Sequence, residues 1–262
     1  VDLPTGAGKT SVMRIWLLAL AAQVSRSLPI TVPHRLVWVV DRRVVVDQAT
    51  AEADAIACRL EQDDLYEPSR LLTGLSSTGK ALAVSTLRGE HLDNRQWSQD
   101  PTCPAIIVGT VDMIGSRLLF SSYGNVGWKM RAFNAGLTAH DTLIVHDETQ
   151  LSPAFEELLR QIEDGQQGQL RRLRVLSLSA TRRPVNPAQV RDSAAADIFR
   201  LTDEDRDEDV VNRRSGAAKA LRFRDVPDVK LLPQRLADFA LAHRDAKSRV
   251  LVYGRSPEDA KW

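Results

Sequence analysis

Short runs of β-branched and apolar residues recur along the chain at 36–40, 82–85, 105–108, 142–145 and 174–178. Both alternating faces of these runs are apolar, the pattern of a strand covered on two sides. Between them, residues 10–24, 43–60, 111–120 and 153–162 have helical spacing or composition. This alternation predicts an α/β fold with a parallel sheet between helices. Ligands are then expected in the loops at the carboxyl ends of the strands.

The pattern changes after Pro184. Residues 185–228 are rich in Asp, Glu and Arg, and 203–209 are nearly all charged, so this stretch reads as a connector or surface insertion. Periodicity resumes with a helix expected over 231–243 and a strand over 249–253, the start of a second α/β unit. The expected organisation is a first unit over 1–184, a connector over 185–228 and the beginning of a second unit over 229–262. Val1 falls inside a motif and no Met opens the chain, so the sequence reads as part of a longer one.

Charge adds one constraint. With 35 basic and 34 acidic side chains the net charge is +1, which excludes a uniformly basic coat and makes any polyanion site a local patch. Seven of the 35 cations are Lys and the other 28 are Arg, a bias that codon composition can produce without a binding demand. The longest apolar run, 15–22, is far short of the roughly 18 residues of a membrane span. Cys58 and Cys103 form neither a CxxC pair nor a disulfide framework, so a reducing cytoplasm is expected, with both as small buried hydrophobes. Trp16 and Trp38 read as core. Trp128, in a Gly-rich stretch, reads as a core or partner contact before a base-stacking one.

The residues that carry chemistry begin with Pro4-Thr5-Gly6-Ala7-Gly8-Lys9-Thr10, directly before a helix. The glycines let successive N–H groups turn toward one anion, and the helix N-terminus adds its partial positive charge. Lys9 can reach the β and γ phosphates, and the Thr10 hydroxyl can ligate Mg²⁺. Leu3 stands where the general pattern wants Gly, and the strand before the motif is reduced to Val1-Asp2-Leu3.

The second signal is the apolar strand Leu143-Ile144-Val145-His146 ending in Asp147-Glu148. The first carboxylate can hold a metal, and the second, on the other face, can orient or deprotonate an attacking water. The third is Ser179-Ala180-Thr181 after another apolar strand. Adjacent acids at a strand end are usually solvated surface and a hydroxyl triplet is usually a loop; their weight comes from occurring in this order behind a phosphate cradle.

In that order the chain resembles the superfamily 2 helicases of DExD/H type. Residues 4–10 are similar to their motif I, Asp147-Glu148-Thr149-Gln150 to motif II and Ser179-Ala180-Thr181 to motif III. Within the superfamily, Val39-Val40-Asp41-Arg42-Arg43, Val46-Asp47-Gln48-Ala49, Ser85-Thr86-Leu87-Arg88-Gly89 and Val108-Gly109-Thr110-Val111-Asp112 resemble the helicase part of the CRISPR-associated helicase-nuclease of type I interference systems. Tyr123-Gly124 and Ala180-Thr181-Arg182-Arg183 fit the same picture. Gln150 stands where DEAD or DEAH relatives carry Asp or His, and is acceptable in the CRISPR family.

The resemblance implies a RecA-like P-loop NTPase domain, the start of a second RecA-like domain, and an ATP-dependent single-stranded DNA translocase recruited by a CRISPR RNA-guided surveillance complex. It implies that Thr5, Gly6, Ala7, Gly8, Lys9 and Thr10 bind ATP, that Thr10 and Asp147 hold Mg²⁺, and that Glu148 is the base. Lys9, Asp147, Glu148 and Gln150 would form the catalytic set, with Ser179 and Thr181 coupling nucleotide state to domain closure. Arg42, Arg88, Gly89 and Thr110 would lie along the DNA, donating to phosphates rather than reading bases. The arginine fingers of the second domain would lie beyond Trp262, so no turnover is expected from this chain alone. Another superfamily 2 motor, on RNA or duplex DNA, and a nucleotide-binding interaction module without motor activity are the alternatives. His140-Asp141 and His146-Asp147 suggest a metal-dependent nuclease, but such a site needs more ligands converging from helices.

Overall fold

Each apolar run forms a strand in the computed structural model: β1 (Arg35–Val40), β2 (Ala83–Leu87), β3 (Ala105–Thr110), β4 (Thr142–Asp147) and β5 (Leu173–Leu178). The structure describes residues 1–3, 6–27, 29–62, 66–87, 96–122, 127–180, 198–215, 221–244 and 250–253. The chain divides into two units, Val1–Gly216 and Ala217–Trp262. In the first, the strands make one five-stranded sheet of order β2-β3-β1-β4-β5 with every pair parallel. All six residues of β1 are buried between β3 and β4, which is why its sequence is apolar at every position after Arg35.

The helices of this unit are α1 (Ser11–Ser25), α2 (Arg43–Leu60), α3 (Tyr66–Thr73), α4 (Gln96–Gln99), α5 (Val111–Leu118), α6 (Trp128–Ala139), α7 (Pro153–Gly165), α8 (Asp203–Asp207) and α9 (Asp209–Ser215). Strand alternation sorts them into two layers. On one face Leu36, Trp38 and Val40 pack with Met13 and Leu20 of α1, Val46 and Ala53 of α2 and Leu72 of α3. On the other, Val37 and Val39 pack with Trp97 of α4, Ile114 of α5, Leu137 of α6 and Phe155 and Leu159 of α7. The first unit is therefore a helix–sheet–helix sandwich, and the expected α/β class with a parallel sheet is what forms.

The amino ends of the strands are closed by a polar cluster. The buried Arg35 guanidinium donates to the carbonyls of Leu137, Pro101 and His140 at 2.7–2.9 Å. Beside it, Asp141 pairs with His34 Nδ1 and Arg171 at 2.8 Å each. Burial alone would raise the Asp141 carboxyl, but these partners outweigh it and hold it at about 2.

Several elements differ from the sequence expectation. Helix α5 stops at Leu118, and Phe120 adopts φ +57°, which ends the helical run. Helix α6 is not expected from periodicity, because its first two turns, from Trp128 through Phe133, are exposed all round and carry no apolar stripe. Inside 185–228, Thr202 and Asp205 form a reciprocal capping box that starts α8. In the second unit, α10 (Leu232–Leu241) forms where a helix is expected, and Arg224 stacks 4.4 Å from the Phe239 ring centroid. Residues 250–253 form no strand, and all four are exposed. An extended segment without a pairing partner has no ladder to satisfy its backbone.

Candidate functional site

Because β1 and β4 are neighbours, with Val39 paired to His146, their carboxyl ends open side by side. The residues between β5 and α1 in space, rather than in sequence, complete the site. Val1–Leu3 hydrogen-bonds alongside the end of β5: Leu3 N donates to Ser179 O at 3.2 Å and Ser179 N to Val1 O at 3.0 Å. The turn through Gly6 and Gly8 then delivers Lys9 to the carboxyl end of β4. Gly6 at φ +84° and Gly8 at φ +79° occupy the left-handed region, where a Cβ would be strained. Ser11 N bonds back to Gly8 O at 2.9 Å, so the turn runs straight into α1. No acidic residue occupies the first turn of α1, and the Thr10 side chain does not cap it.

These elements enclose a cleft of about 310 Å³ lined by Gly6, Gly8, Lys9, Thr10, Asp147 and Glu148, with Trp38, Val45, Gln48 and Ala49 as its β1–α2 wall. Lys9 Nζ lies 3.4 Å from Glu148 Oε1. Glu148 itself sits at φ +54°, ψ +49°, a left-handed conformation that is uncommon for a non-glycine residue and marks a functional or strained turn. Its backbone N–H donates to Asp147 Oδ1 at 3.1 Å. Burial pushes the Asp147 carboxyl above its ordinary range; Lys9 pulls it down and Glu148 pushes it up, and burial prevails.

A polar chain continues away from the cleft. Gln150, in the 3-10 turn Thr149–Leu151, donates through Nε2 to Glu148 Oε2 and accepts at Oε1 from Ser179 Oγ at 3.0 Å. Lys9, Glu148, Gln150 and Ser179 thus form one connected line from the cleft to the end of β5. A second link, Ser152 Oγ to Asp41 Oδ1 at 2.9 Å, ties the start of α7 to the carboxyl end of β1, next to Arg42. Neither the direct Lys9–Glu148 contact nor the Ser152–Asp41 bond is visible in the sequence, since each joins segments more than 100 residues apart.

The sequence-derived site residues are placed as follows. Gly6, Gly8, Lys9, Thr10, Asp147 and Glu148 converge on the cleft, with Gln150 and Ser179 behind it, while Ala7 faces the opposite side of the turn, in an apolar cavity against α1. Thr5, Arg88, Gly89 and Thr181 lie outside the described residues. Arg42 is exposed at the start of α2. Thr110 is buried and caps α5, its hydroxyl accepting from Met113 N at 3.4 Å, a structural use that its place after a strand and before a helix makes readable.

Trp16 and Trp38 are core, Trp38 also backing the cleft, and the Trp16 indole donates to Pro33 O at 2.7 Å. Cys103 is buried, whereas Cys58 faces solvent, because its position on α2 falls on the outer side of the helix. Trp128 is exposed rather than core. Asp141 serves the amino-end cluster, and His146 lies inside β4 with its ring edge-on to Phe155 at 5.1 Å. The two His-Asp dipeptides therefore sit at opposite ends of β4. Among the described residues no three or more His, Cys, Asp or Glu side chains group as metal ligands. No helix among the described residues is long and apolar enough to cross a membrane.

No family model matches the chain, and no curated protein matches it. The chemistry of the cleft rests on its own geometry.

Proposed function

We propose that the first unit is a RecA-like P-loop domain and that the cleft binds ATP with Mg²⁺ to drive a single-stranded DNA translocase of the kind found in type I CRISPR interference systems. The observation that carries this reading is the convergence of Lys9, Thr10, Asp147 and Glu148, drawn from two segments far apart in sequence, on one cleft beside two left-handed glycines.

The residues present fit the nucleotide. The Gly6–Gly8 turn and the start of α1 offer backbone N–H groups and a helix dipole to a polyphosphate. Lys9 supplies the cation for the terminal phosphates, and the Thr10 hydroxyl and the Asp147 carboxylate are oxygen ligands of the type a hard cation takes. Bound Mg²⁺–ATP supplies the phosphoanhydride whose cleavage powers movement. Glu148, offset from Asp147 by strand alternation and by its left-handed backbone, orients and deprotonates the attacking water. Lys9 is its ion-pair partner at 3.4 Å, so a phosphate that recruits Lys9 frees the Glu148 carboxylate for that task. The link from Glu148 through Gln150 to Ser179 transmits that change to the β5 end, where Thr181 follows. Arg42, exposed at the start of α2, donates to DNA phosphates in this reading.

The test is calorimetric titration of Mg²⁺–ATP into this chain, followed by ATPase assays of the longer protein carrying both RecA-like halves. Micromolar binding and stimulation by single-stranded DNA are the expected results. Stimulation by RNA alone or by duplex alone assigns another superfamily 2 motor; binding without hydrolysis assigns an interaction module.

A further inference from the structure

Helix α6 divides into two halves. Asn134, Ala135, Leu137 and Thr138 of its second half are buried, whereas every residue from Trp128 to Phe133 is exposed. The first two turns therefore project from the fold rather than cover it. They carry three large apolar side chains, Trp128, Met130 and Phe133, at 76%, 49% and 40% exposure. Large apolar side chains gathered in water, rimmed by charged ones, mark a binding surface.

The order of these side chains says what binds. A helix that docks in a protein groove presents one stripe at i, i+3, i+4 and i+7. Trp128 and Phe133 instead point about 140° apart around the helix, with Lys129 and Arg131 between them in sequence, so no such stripe exists. Lys129 Nζ lies 5.8 Å from the Trp128 ring centroid, which sets a cation beside a flat, exposed aromatic. Charge along the chain points the same way. The chain has 34 acidic side chains in 262 residues, yet none falls between Met113 and His140, while Lys129 and Arg131 stand exposed within that stretch.

We infer that the first two turns of α6 are a platform for single-stranded nucleic acid, with Trp128 stacking on a base and Lys129 and Arg131 donating to the flanking phosphates. Aromatic side chains interleaved with cations are what a single strand requires, because every base offers a π face and every linkage a negative charge. A duplex hides its base faces, and an acidic peptide would use the cations but leave the indole idle. That the strand is DNA rests on the proposed function; stacking and charge are shared by DNA and RNA. No residue of α6 lines the cleft, so the platform is a contact additional to Arg42 and separate from the nucleotide.

The experiment titrates this chain into labelled oligo-dT and oligo-rU at several salt concentrations, reading anisotropy, and into unlabelled oligo-dT, reading tryptophan emission. Wild type should bind oligo-dT with an affinity that falls steeply with salt, and binding should quench the emission. Trp128→Ala should lose the quench and weaken binding about tenfold, the scale of one stacked base, and Trp128→Phe, which keeps a stacking ring, should recover most of the affinity. Lys129→Ala combined with Arg131→Ala should lower the slope of log affinity against log salt by about 1.4, the effect of two phosphate contacts on a single strand. All three side chains are exposed, so thermal melts of the variants should match wild type. Equal oligo-dT affinity of wild type and Trp128→Ala, or no binding by wild type at low salt, overturns the proposal. Tighter binding of oligo-rU that still depends on Trp128 upholds the platform and assigns the strand as RNA. Self-association of the free chain that Trp128→Ala abolishes, with DNA affinity unchanged, gives the surface to a second copy instead. Calorimetry with Mg²⁺–ATP keeps the two readings apart: Trp128→Ala should bind nucleotide as wild type does, and a wild type that binds none removes the nucleotide reading while the Trp128 result stands.

Discussion

Lys9 Nζ and Glu148 Oε1 are 3.4 Å apart, the one delivered by the turn before α1 and the other by the turn after β4. Only 9% of the Lys9 side chain is exposed, against 36% for Glu148, so the cation is committed to the cleft while the carboxylate has room to change partners. On the proposed function, that asymmetry suits Lys9 to phosphate and Glu148 to the attacking water.

It follows that Lys9→Ala should weaken Mg²⁺–ATP binding about 10- to 100-fold, the loss of one hydrogen bond to a charged group. Stability should change by about 1 kcal/mol, because Lys9 is nearly buried but the partner it leaves behind, Glu148, still reaches solvent. Calorimetry of nucleotide binding together with thermal unfolding checks both parts; an unchanged affinity would remove the nucleotide assignment.

Glu148→Gln separates binding from chemistry. The amide keeps the shape and one acceptor but loses the basic oxygen, so ATP should still bind. Hydrolysis in the longer protein should fall about 10²- to 10⁴-fold, the usual contribution of a positioned base. Wild-type turnover by this variant would make the acid pair surface decoration.

Burial of Asp147 carries a cost. Its carboxyl is raised by burial, so the folded chain holds this proton at pH values where the unfolded chain has lost it. Stability from this group is present below the ordinary value of 3.8 and declines as pH rises through the raised one. Asp147→Asn should therefore raise Tm at pH 7, where the buried charge is removed, and leave it nearly unchanged near pH 3. The same variant should weaken Mg²⁺ dependence of nucleotide binding. Thermal melts across pH without nucleotide, and Mg²⁺ titrations with it, read the two effects separately.

Much of the fold was legible because the central strands β1 and β3 are buried at every position and so are almost wholly apolar. The residues of β1 after Arg35 are an example, and the buried position of Trp38 follows from them. Arg35 was not legible as a strand residue, because what licenses its burial is a set of carbonyls from Pro101, Leu137 and His140, distant in sequence. Helix α6 is not legible for the opposite reason: its apolar Trp128, Met130 and Phe133 are exposed and scattered among polar residues, so they form no stripe. At the site, the glycine turn and the acid pair announce themselves by local spacing. That Lys9 meets Glu148, and that Gln150 spans to Ser179, depends on the order of β4 and β5 in the sheet, a long-range choice that no local pattern encodes.

At the amino end of the sheet, Asp141 is the opposite case to Asp147, a buried carboxylate whose partners outweigh its burial. Its carboxylate accepts from His34 and Arg171 at 2.8 Å and is held at about 2. A depressed carboxylate contributes stability that is fully present above its unfolded value, near 3.8, and is lost as pH falls through about 2. Asp141→Asn should cost about 2 kcal/mol at pH 7, on the scale of 1.36 kcal/mol per pKa unit. It also leaves the His34 ring and Arg171 without their anion. The difference between wild type and variant should shrink progressively as pH falls below about 4. Asp141 also adopts φ +54°, which Asn tolerates as well as Asp does, so the substitution tests charge rather than backbone strain. Denaturant melts at a series of pH values measure this directly. A destabilisation that stays constant down to pH 2 would show that hydrogen-bond geometry, not the ionised carboxylate, secures this end of the sheet.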